Sequence, residues 1–104
     1  MNGNEYQKLA MKTLNPSLNK KEVMINAVMG LCGESGEVSD IVKKHLFQGH
    51  ELDVEKIKKE LGDVLWYIAE MCEALDIELD KVMEANIEKL SKRFKDGFTV
   101  EESI

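Results

Sequence analysis

Apolar residues recur along this chain every three or four positions in four separate segments, a spacing that predicts four amphipathic helices. We expect a first helix over about residues 4–14, a second over 20–47, a third after Asp53 to about residue 75, and a fourth over 79–94. Asn19 and Glu22 have capping-box spacing at the second start, and Asp53 is a good N-cap for the third. Because no segment alternates like a β-strand, the pattern predicts one all-α domain over residues 1–104.

The third helix is apolar around most of its circumference, which is typical of a helix that is buried on more than one side. In so short a chain, we expect the second side to pack on another subunit. Helix interiors also contain glycines that cost roughly 1 kcal/mol each relative to alanine, which indicates a close approach by a helix or ligand. These glycines are Gly30, Gly33 and Gly36 on the second helix and Gly62 on the third.

Composition changes this picture little. The chain is 43% hydrophobic and 33% charged, as in ordinary soluble proteins, and its net charge of −6 argues against a nucleic-acid polymer as partner. No apolar run is long enough for a signal peptide or a membrane span, so we expect a cytoplasmic protein without a membrane partner. Cys32 and Cys72 lie in apolar helical segments, and we expect both to be reduced core residues.

Two acidic motifs are the strongest chemical feature. Glu34-x-x-Glu37 and Glu60-x-x-Asp63 each place two carboxylates on one helix face, at the edge of an apolar stripe. One interpretation is that these acids are solvated or paired with nearby lysines. The other is a metal site, because four converging carboxylates near a core are costly unless a cation holds them.

The ligand types narrow the choice of metal. No histidine or cysteine has zinc-binding spacing, and His45 lacks the Glu-x-x-His pattern of di-iron bundles. An all-oxygen set favours Mg²⁺, with Mn²⁺ as a substitute, and this chemistry suits an attack on phosphorus. The fourth helix adds Asn86, Lys89 and Arg93 on a shared face, either as an anion contact or as a solvated basic helix end.

Three stretches, GLCGESGEV (30–38), ELGDVLWYI (60–68) and NIEKLSKRF (86–94), resemble the MazG-type nucleoside triphosphate pyrophosphohydrolases of the all-α NTP pyrophosphatase superfamily. The early pattern Tyr6-Gln7-x-x-Ala10-x-x-Thr13 is similar to that of short, single-domain members. The resemblance implies a four-helix bundle-like fold that assembles as a homodimer or homotetramer. It also implies Mg²⁺-dependent cleavage of a (deoxy)nucleoside triphosphate to the monophosphate and pyrophosphate by a metal-activated water.

The resemblance further implies roles for individual residues. Metal ligands would be the four acids of the two motifs, and the glutamates Glu34 and Glu37 would be catalytic, with Glu37 orienting the water. Substrate would contact the fourth helix and an aromatic wall. The implied sets are Glu34, Glu37, Glu60 and Asp63 for metal, and Asn86, Lys89, Arg93, Tyr6, Gln7 and Trp66 for substrate.

The chain departs from the family pattern at two positions. Gly33 stands where many members have a further glutamate, which leaves the number of metal ions open, and Lys95 follows Phe94 where many have proline. Two alternatives to a triphosphate pyrophosphohydrolase also stay open. One is a non-catalytic helical module for oligomerisation or nucleotide sensing, and the other is a hydrolase of the same superfamily that acts on a nucleoside diphosphate or a phosphoribosyl nucleotide.

Overall fold

A computed structural model describes all of residues 1–104 and contains four helices without a β-strand. They are α1 (Gly3–Met11), α2 (Lys20–Phe47), α3 (Val54–Ala74) and α4 (Leu79–Arg93). The predicted all-α class is confirmed, and the bounds of α2, α3 and α4 lie within about a residue of those expected. Helix α1 is shorter at its C-terminal end, where Thr13 and Leu14 continue as turns before the Asn15-Pro16 pair.

Side-chain caps explain where α2 and α3 begin. The Asn19 side chain accepts a hydrogen bond from the Glu22 amide, and the Glu22 carboxylate accepts one from the Asn19 amide, both at 2.9 Å. The Asp53 carboxylate accepts a bond from the Lys56 amide at 3.0 Å. These bonds satisfy N–H groups that the first helical turn leaves unpaired, and they confirm both predicted caps.

The N-cap residue of α4, Glu78, makes no capping hydrogen bond with its side chain, and side chains of α1 cap this helix instead. The Leu79 amide donates to the Gln7 side chain at 2.8 Å, and the Asp80 amide donates to the Asn4 side chain at 3.0 Å. Gly3 makes this approach possible, because a Cβ there would lie 2.7 Å from the Asp80 carboxylate. The two polar side chains of α1 therefore fix the start of α4.

The main packing is between the antiparallel helices α2 and α3, while α1 packs on α3 and α4. Only 10 of the 104 residues are buried, which is few for a domain of this length, so the single chain leaves much apolar surface uncovered. Exposed apolar side chains lie on all four helices, and they include Leu9 on α1, Ile25, Val28 and Met29 on α2, Leu61 and Leu65 on α3, and Met83 and Ile87 on α4.

The expectation that both cysteines belong to the core is wrong for one of them. Cys72 is buried, but Cys32 is exposed, and both are free thiols. The reason is position on the helix: Cys32 is two residues from both Gly30 and Glu34, so it points about 200° away from the face of α2 that packs on α3.

The C-terminal tail folds back on the end of α4. Gly97 has a φ of +88°, and the Phe98 ring lies 5.8 Å from the Phe94 ring between centroids. None of the four helices combines the length and the apolar character required to cross a membrane.

Candidate metal centre

Three carboxylates from two helices meet at the α2–α3 interface. Oxygen atoms of Glu34, Glu60 and Asp63 all lie within 4.8 Å of one another. Glu60 and Asp63 are three residues apart and share one face of α3, and the antiparallel packing of α2 brings Glu34 against them. The acids of the two motifs thus converge as a cluster, which we call the acidic cluster (Glu34, Glu60 and Asp63).

The environment of Glu34 is unfavourable for a negative charge. Its Oε2 atom is buried and has no hydrogen-bond partner. The Glu60 carboxyl, to which the protonated form of Glu34 donates a hydrogen bond, then burial, then the charges of Glu60, Asp63 and Glu37 raise the pKa of Glu34 to about 7. No basic side chain is among these causes. A buried, unpartnered oxygen in an oxygen-only donor set fits a hard divalent cation such as Mg²⁺ or Mn²⁺.

The fourth acid of the motifs lies outside this group. Glu37 is exposed and is not among the carboxylates within 4.8 Å of one another, although its charge contributes to the raised pKa of Glu34. Side chains three positions apart on a helix point about 60° away from each other. Glu37 therefore lies at the border of the interface that holds Glu34, and it faces solvent. The single chain brings together three of the four predicted ligands.

An aromatic cavity adjoins the acidic cluster. It has a volume of about 320 Å³ and is lined by Glu34, Asp63, Trp66 and Tyr67. The two aromatic rings meet edge to face with centroids 5.1 Å apart. Sequence reasoning placed Trp66 here but missed Tyr67, which the four-residue spacing from Asp63 could have identified.

The Trp66 ring is held from the side of α1. Its indole N–H lies 2.8 Å from the Thr13 hydroxyl and 3.2 Å from the Ala10 carbonyl, which accept its hydrogen bond. The Tyr-Gln-x-x-Ala-x-x-Thr pattern therefore places two of its residues behind the tryptophan. Because the indole N–H is engaged, Trp66 offers an apolar ring to the cavity.

The remaining residues of α1 that the sequence suggested have different surroundings. Burial and the charge of Asp63 raise the pKa of Tyr6, so its hydroxyl lies near the acidic cluster. Gln7 faces the other way: its amide nitrogen donates to Glu73 at 3.1 Å and to the Ile77 carbonyl at 3.2 Å. The structure thus brings Tyr6 near the acids and engages Gln7 in the cap of α4.

The basic residues of α4 do not line the aromatic cavity within one chain. Asn86, Lys89 and Arg93 are exposed on a helix that packs on α1. The Arg93 guanidinium donates to the carbonyls of Glu102 and Ile104 and lies 5.3 Å from the centre of the Phe94 ring. The acidic cluster and the basic helix are therefore separate features of the single chain.

Size alone does not mark the site. A larger open groove of about 470 Å³ lies between α1 and the turn before α4, and it contains no residue of the acidic motifs. Amide, lysine and glutamate side chains line this groove, and none of them has a buried polar atom that lacks a hydrogen-bond partner. The smaller aromatic cavity has the convergent chemistry, and we assign the site there on that ground.

These features define an all-α protein with an oxygen-only acidic centre between two antiparallel helices. Residues 24–98 match the family model of the MazG nucleotide pyrophosphohydrolase domain, and the chain belongs to this family, which is metal-dependent in general. The chain is also 39% identical over 69 residues to the Gene 37 protein of Mycobacterium phage L5. That match covers 62% of this chain and 60% of the phage protein. No solved structure is significantly similar.

Proposed function

We propose that this protein is a Mg²⁺-dependent hydrolase that cleaves a (deoxy)nucleoside triphosphate to the monophosphate and pyrophosphate. The observation that carries the proposal is the acidic cluster, in which the buried Oε2 of Glu34 lacks a partner and two further carboxylates lie within 4.8 Å. The match to the MazG domain supports the reaction class.

Each acid has a role in this proposal. Glu34, Glu60 and Asp63 hold the cation, because their oxygens already converge. A bound Mg²⁺ would neutralise phosphate charge and lower the pKa of a water molecule. Glu37 is exposed one turn beyond Glu34, and it accepts a proton from the attacking water or completes the ligand set.

The aromatic cavity suits the rest of a nucleotide. Tyr67 and Trp66 offer ring surfaces beside the acids, and bases stack on such rings with little dependence on sequence. With the indole N–H bonded to Thr13 and Ala10, Trp66 contributes stacking rather than a hydrogen bond to the base. The wall therefore suits a planar base next to phosphates held at the acidic cluster.

The basic face of α4 requires a second copy in this proposal. We infer a homodimer or homotetramer in which Asn86, Lys89 and Arg93 of one copy approach the phosphates bound by another. The support is the uncovered apolar surface: an apolar cavity of about 260 Å³ on the outside of α2 and α3 has no polar lining residue. It is formed by Met24, Ile25, Val28, Met29 and Met71.

The deciding experiment is a panel of nucleoside and deoxynucleoside triphosphates with Mg²⁺, scored for release of pyrophosphate against orthophosphate. Glu60→Gln and Glu37→Gln should each lower kcat/KM at least about 100-fold. Asp40→Asn is the matched control on α2, because Asp40 pairs with Lys44 at 2.9 Å, is not in the acidic cluster and should keep full activity. No turnover of any nucleotide, with no effect of Glu37→Gln, would overturn the proposal.

A second candidate function is a nucleotide-sensing or oligomerisation module without catalysis, which the extensive exposed apolar surface favours. Melting temperature measured with and without Mg²⁺ and nucleotide separates a purely structural module from a ligand site, since only a bound ligand shifts it. Product analysis in the same panel also identifies hydrolysis of a nucleoside diphosphate or a phosphoribosyl nucleotide.

A further inference from the structure

Glu70 is the most deeply buried charged residue of the protein. Its side chain has 0% exposure and is the largest fully buried side chain in the structure. The Asn26 side-chain nitrogen lies 3.0 and 2.9 Å from the two carboxylate oxygens and donates to them. Neither residue lines the aromatic cavity or belongs to the acidic cluster, so the proposed function does not use this pair.

The pair belongs to the same helix interface as the acidic cluster. On successive turns of α2, Asn26, Gly30 and Glu34 face α3. Their opposite residues, Glu70, Tyr67 and then Asp63, follow successive turns of α3 in the reverse direction. Asn26 therefore lies two turns, or about 12 Å, from Glu34 along α2.

Because the Asn26–Glu70 pair and the acidic cluster lie on one helix interface, both depend on the register of α2 against α3. If α3 slid along α2, the Glu70 carboxylate would lose its amide donor while still buried, which is strongly unfavourable. At the acidic cluster, the ionised form of Glu34 is repelled by Glu60 and Asp63, and that repulsion favours separation of the two helices there. The Asn26–Glu70 pair opposes such a displacement, because it is satisfied in only one register.

We propose that Asn26 and Glu70 are positioning residues of the metal centre, which lock the register that holds Glu34 against Glu60 and Asp63. The inference rests on the metal site of the proposed function and assigns a reason for a buried carboxylate outside that site. It requires that loss of the pair weakens metal affinity even where the fold keeps its stability.

The test compares two double variants by calorimetric titration with Mn²⁺ alone, together with their melting temperatures. Asn26→Leu/Glu70→Met replaces the pair with apolar groups, a change that often preserves stability, and it should bind Mn²⁺ about tenfold more weakly. Asn26→Asp/Glu70→Gln exchanges amide and carboxylate, keeps the net charge and restores the hydrogen bond. Its Mn²⁺ affinity should stay within about threefold of the unmodified chain.

Cys72→Ala is the matched control, because Cys72 is a buried α3 residue that bonds to neither member of the pair. It should lower stability and leave Mn²⁺ affinity unchanged while the chain is folded. If the apolar variant does not fold, Asn26→Gln replaces it, because it keeps the charge and an amide donor but lengthens the side chain by one methylene. The longer amide can bond the Glu70 carboxylate only in a shifted register, so Asn26→Gln should also weaken Mn²⁺ binding.

The outcomes separate the two proposals. Unchanged Mn²⁺ affinity in the apolar variant, or in Asn26→Gln, overturns the positioning role and leaves the metal site intact. A loss in the exchanged variant equal to that in the apolar variant also overturns it. No Mn²⁺ binding by the unmodified chain overturns the proposed function together with this inference.

Discussion

Gly30 of α2 faces the ring of Tyr67 on α3 so closely that a Cβ at position 30 would lie 2.1 Å from the ring carbon Cε1. The glycine therefore sets the distance between the two helices that carry the acidic cluster. Tyr67 in turn packs edge to face on Trp66, which limits how far its ring can move away.

Gly30→Ala should destabilise the protein by about 1 kcal/mol. Overpacking costs about 1–3 kcal/mol, and the better helix propensity of alanine returns about 1 kcal/mol of it. Gly36→Ala is the matched control on the same helix, because nothing lies within 4 Å of a Cβ there, and it should stabilise by about 0.5–1 kcal/mol. Urea unfolding measures both values. A loss of stability for Gly36→Ala would instead indicate a second copy packed at that position.

The stability of the metal-free protein should fall as pH rises from about 4.5 to 7. The pKa of Glu34 is raised from 4.5 to about 7, so the folded state binds more protons than the unfolded state in this window. Deprotonation then adds a charge to the acidic cluster. Melting temperatures at pH 5 and 8 should show this decline, and Glu34→Gln should reduce it.

Mg²⁺ should offset the loss of stability that the metal-free protein shows as pH rises. Because protons compete with the cation for Glu34, the rise in melting temperature on adding Mg²⁺ should be larger at pH 8 than at pH 5. An equal rise at both values would place the cation away from Glu34. Asp40→Asn serves as the control, since lysine pairing lowers the pKa of Asp40 and removes it from this window.

Removal of either α1 cap should loosen α4. Asn4→Ala and Gln7→Ala each remove an acceptor for the first amides of α4 and should cost about 1 kcal/mol in the free energy of unfolding. Lys8→Ala on the exposed side of α1 should have a negligible effect. Because Gln7 caps α4, the folded Gln7→Ala protein should keep the KM of the unmodified chain. A higher KM at full stability would support the predicted contact of Gln7 with substrate.

Trp66 is the only tryptophan of the chain, so its fluorescence reports directly on the aromatic cavity. A nucleotide that stacks there should quench the emission by a saturable amount, with or without turnover. Thr13→Val removes the 2.8 Å acceptor of the indole N–H and should cost about 1 kcal/mol of stability while the quenching persists. Unchanged emission at saturating nucleotide and Mg²⁺ would place the base elsewhere.

Met29→Glu should dissociate the proposed oligomer. Met29 is 69% exposed in the single chain and lines the apolar cavity on α2 and α3, where a buried charge would oppose association. Light scattering coupled to size exclusion measures the mass. Ser39→Glu, an exposed substitution on the same helix, is the control. A monomeric unmodified chain would contradict the oligomer, and with it the placement of Arg93 beside another copy's phosphates.

The helices and their starts were accessible from sequence because they depend on short-range interactions. The capping box of Asn19 and Glu22 joins residues three apart, and the spacing of Glu60 and Asp63 puts both on one face wherever the helix lies. Period and propensity were thus enough to predict the all-α class and the acids on each helix.

The contacts between distant segments were not accessible in the same way. Periodicity assigned Cys32 to the core and gave no indication that Gln7 caps α4, because both outcomes depend on which faces meet. The convergence of Glu34 with Glu60 and Asp63 was an expectation that required a particular helix register. That register depends on Gly30 against Tyr67 and on Asn26 with Glu70.

The local order of the chain, including helix type, caps and the acidic motifs, was therefore determined by the sequence alone, through interactions within one or two helical turns. Tertiary structure decided which carboxylates share the cluster, that Glu37 faces solvent and that the basic face of α4 lies apart from the acids. The physical reason is that burial, repulsion and hydrogen bonding between helices act across long sequence separations, and only packing selects the register that satisfies them together.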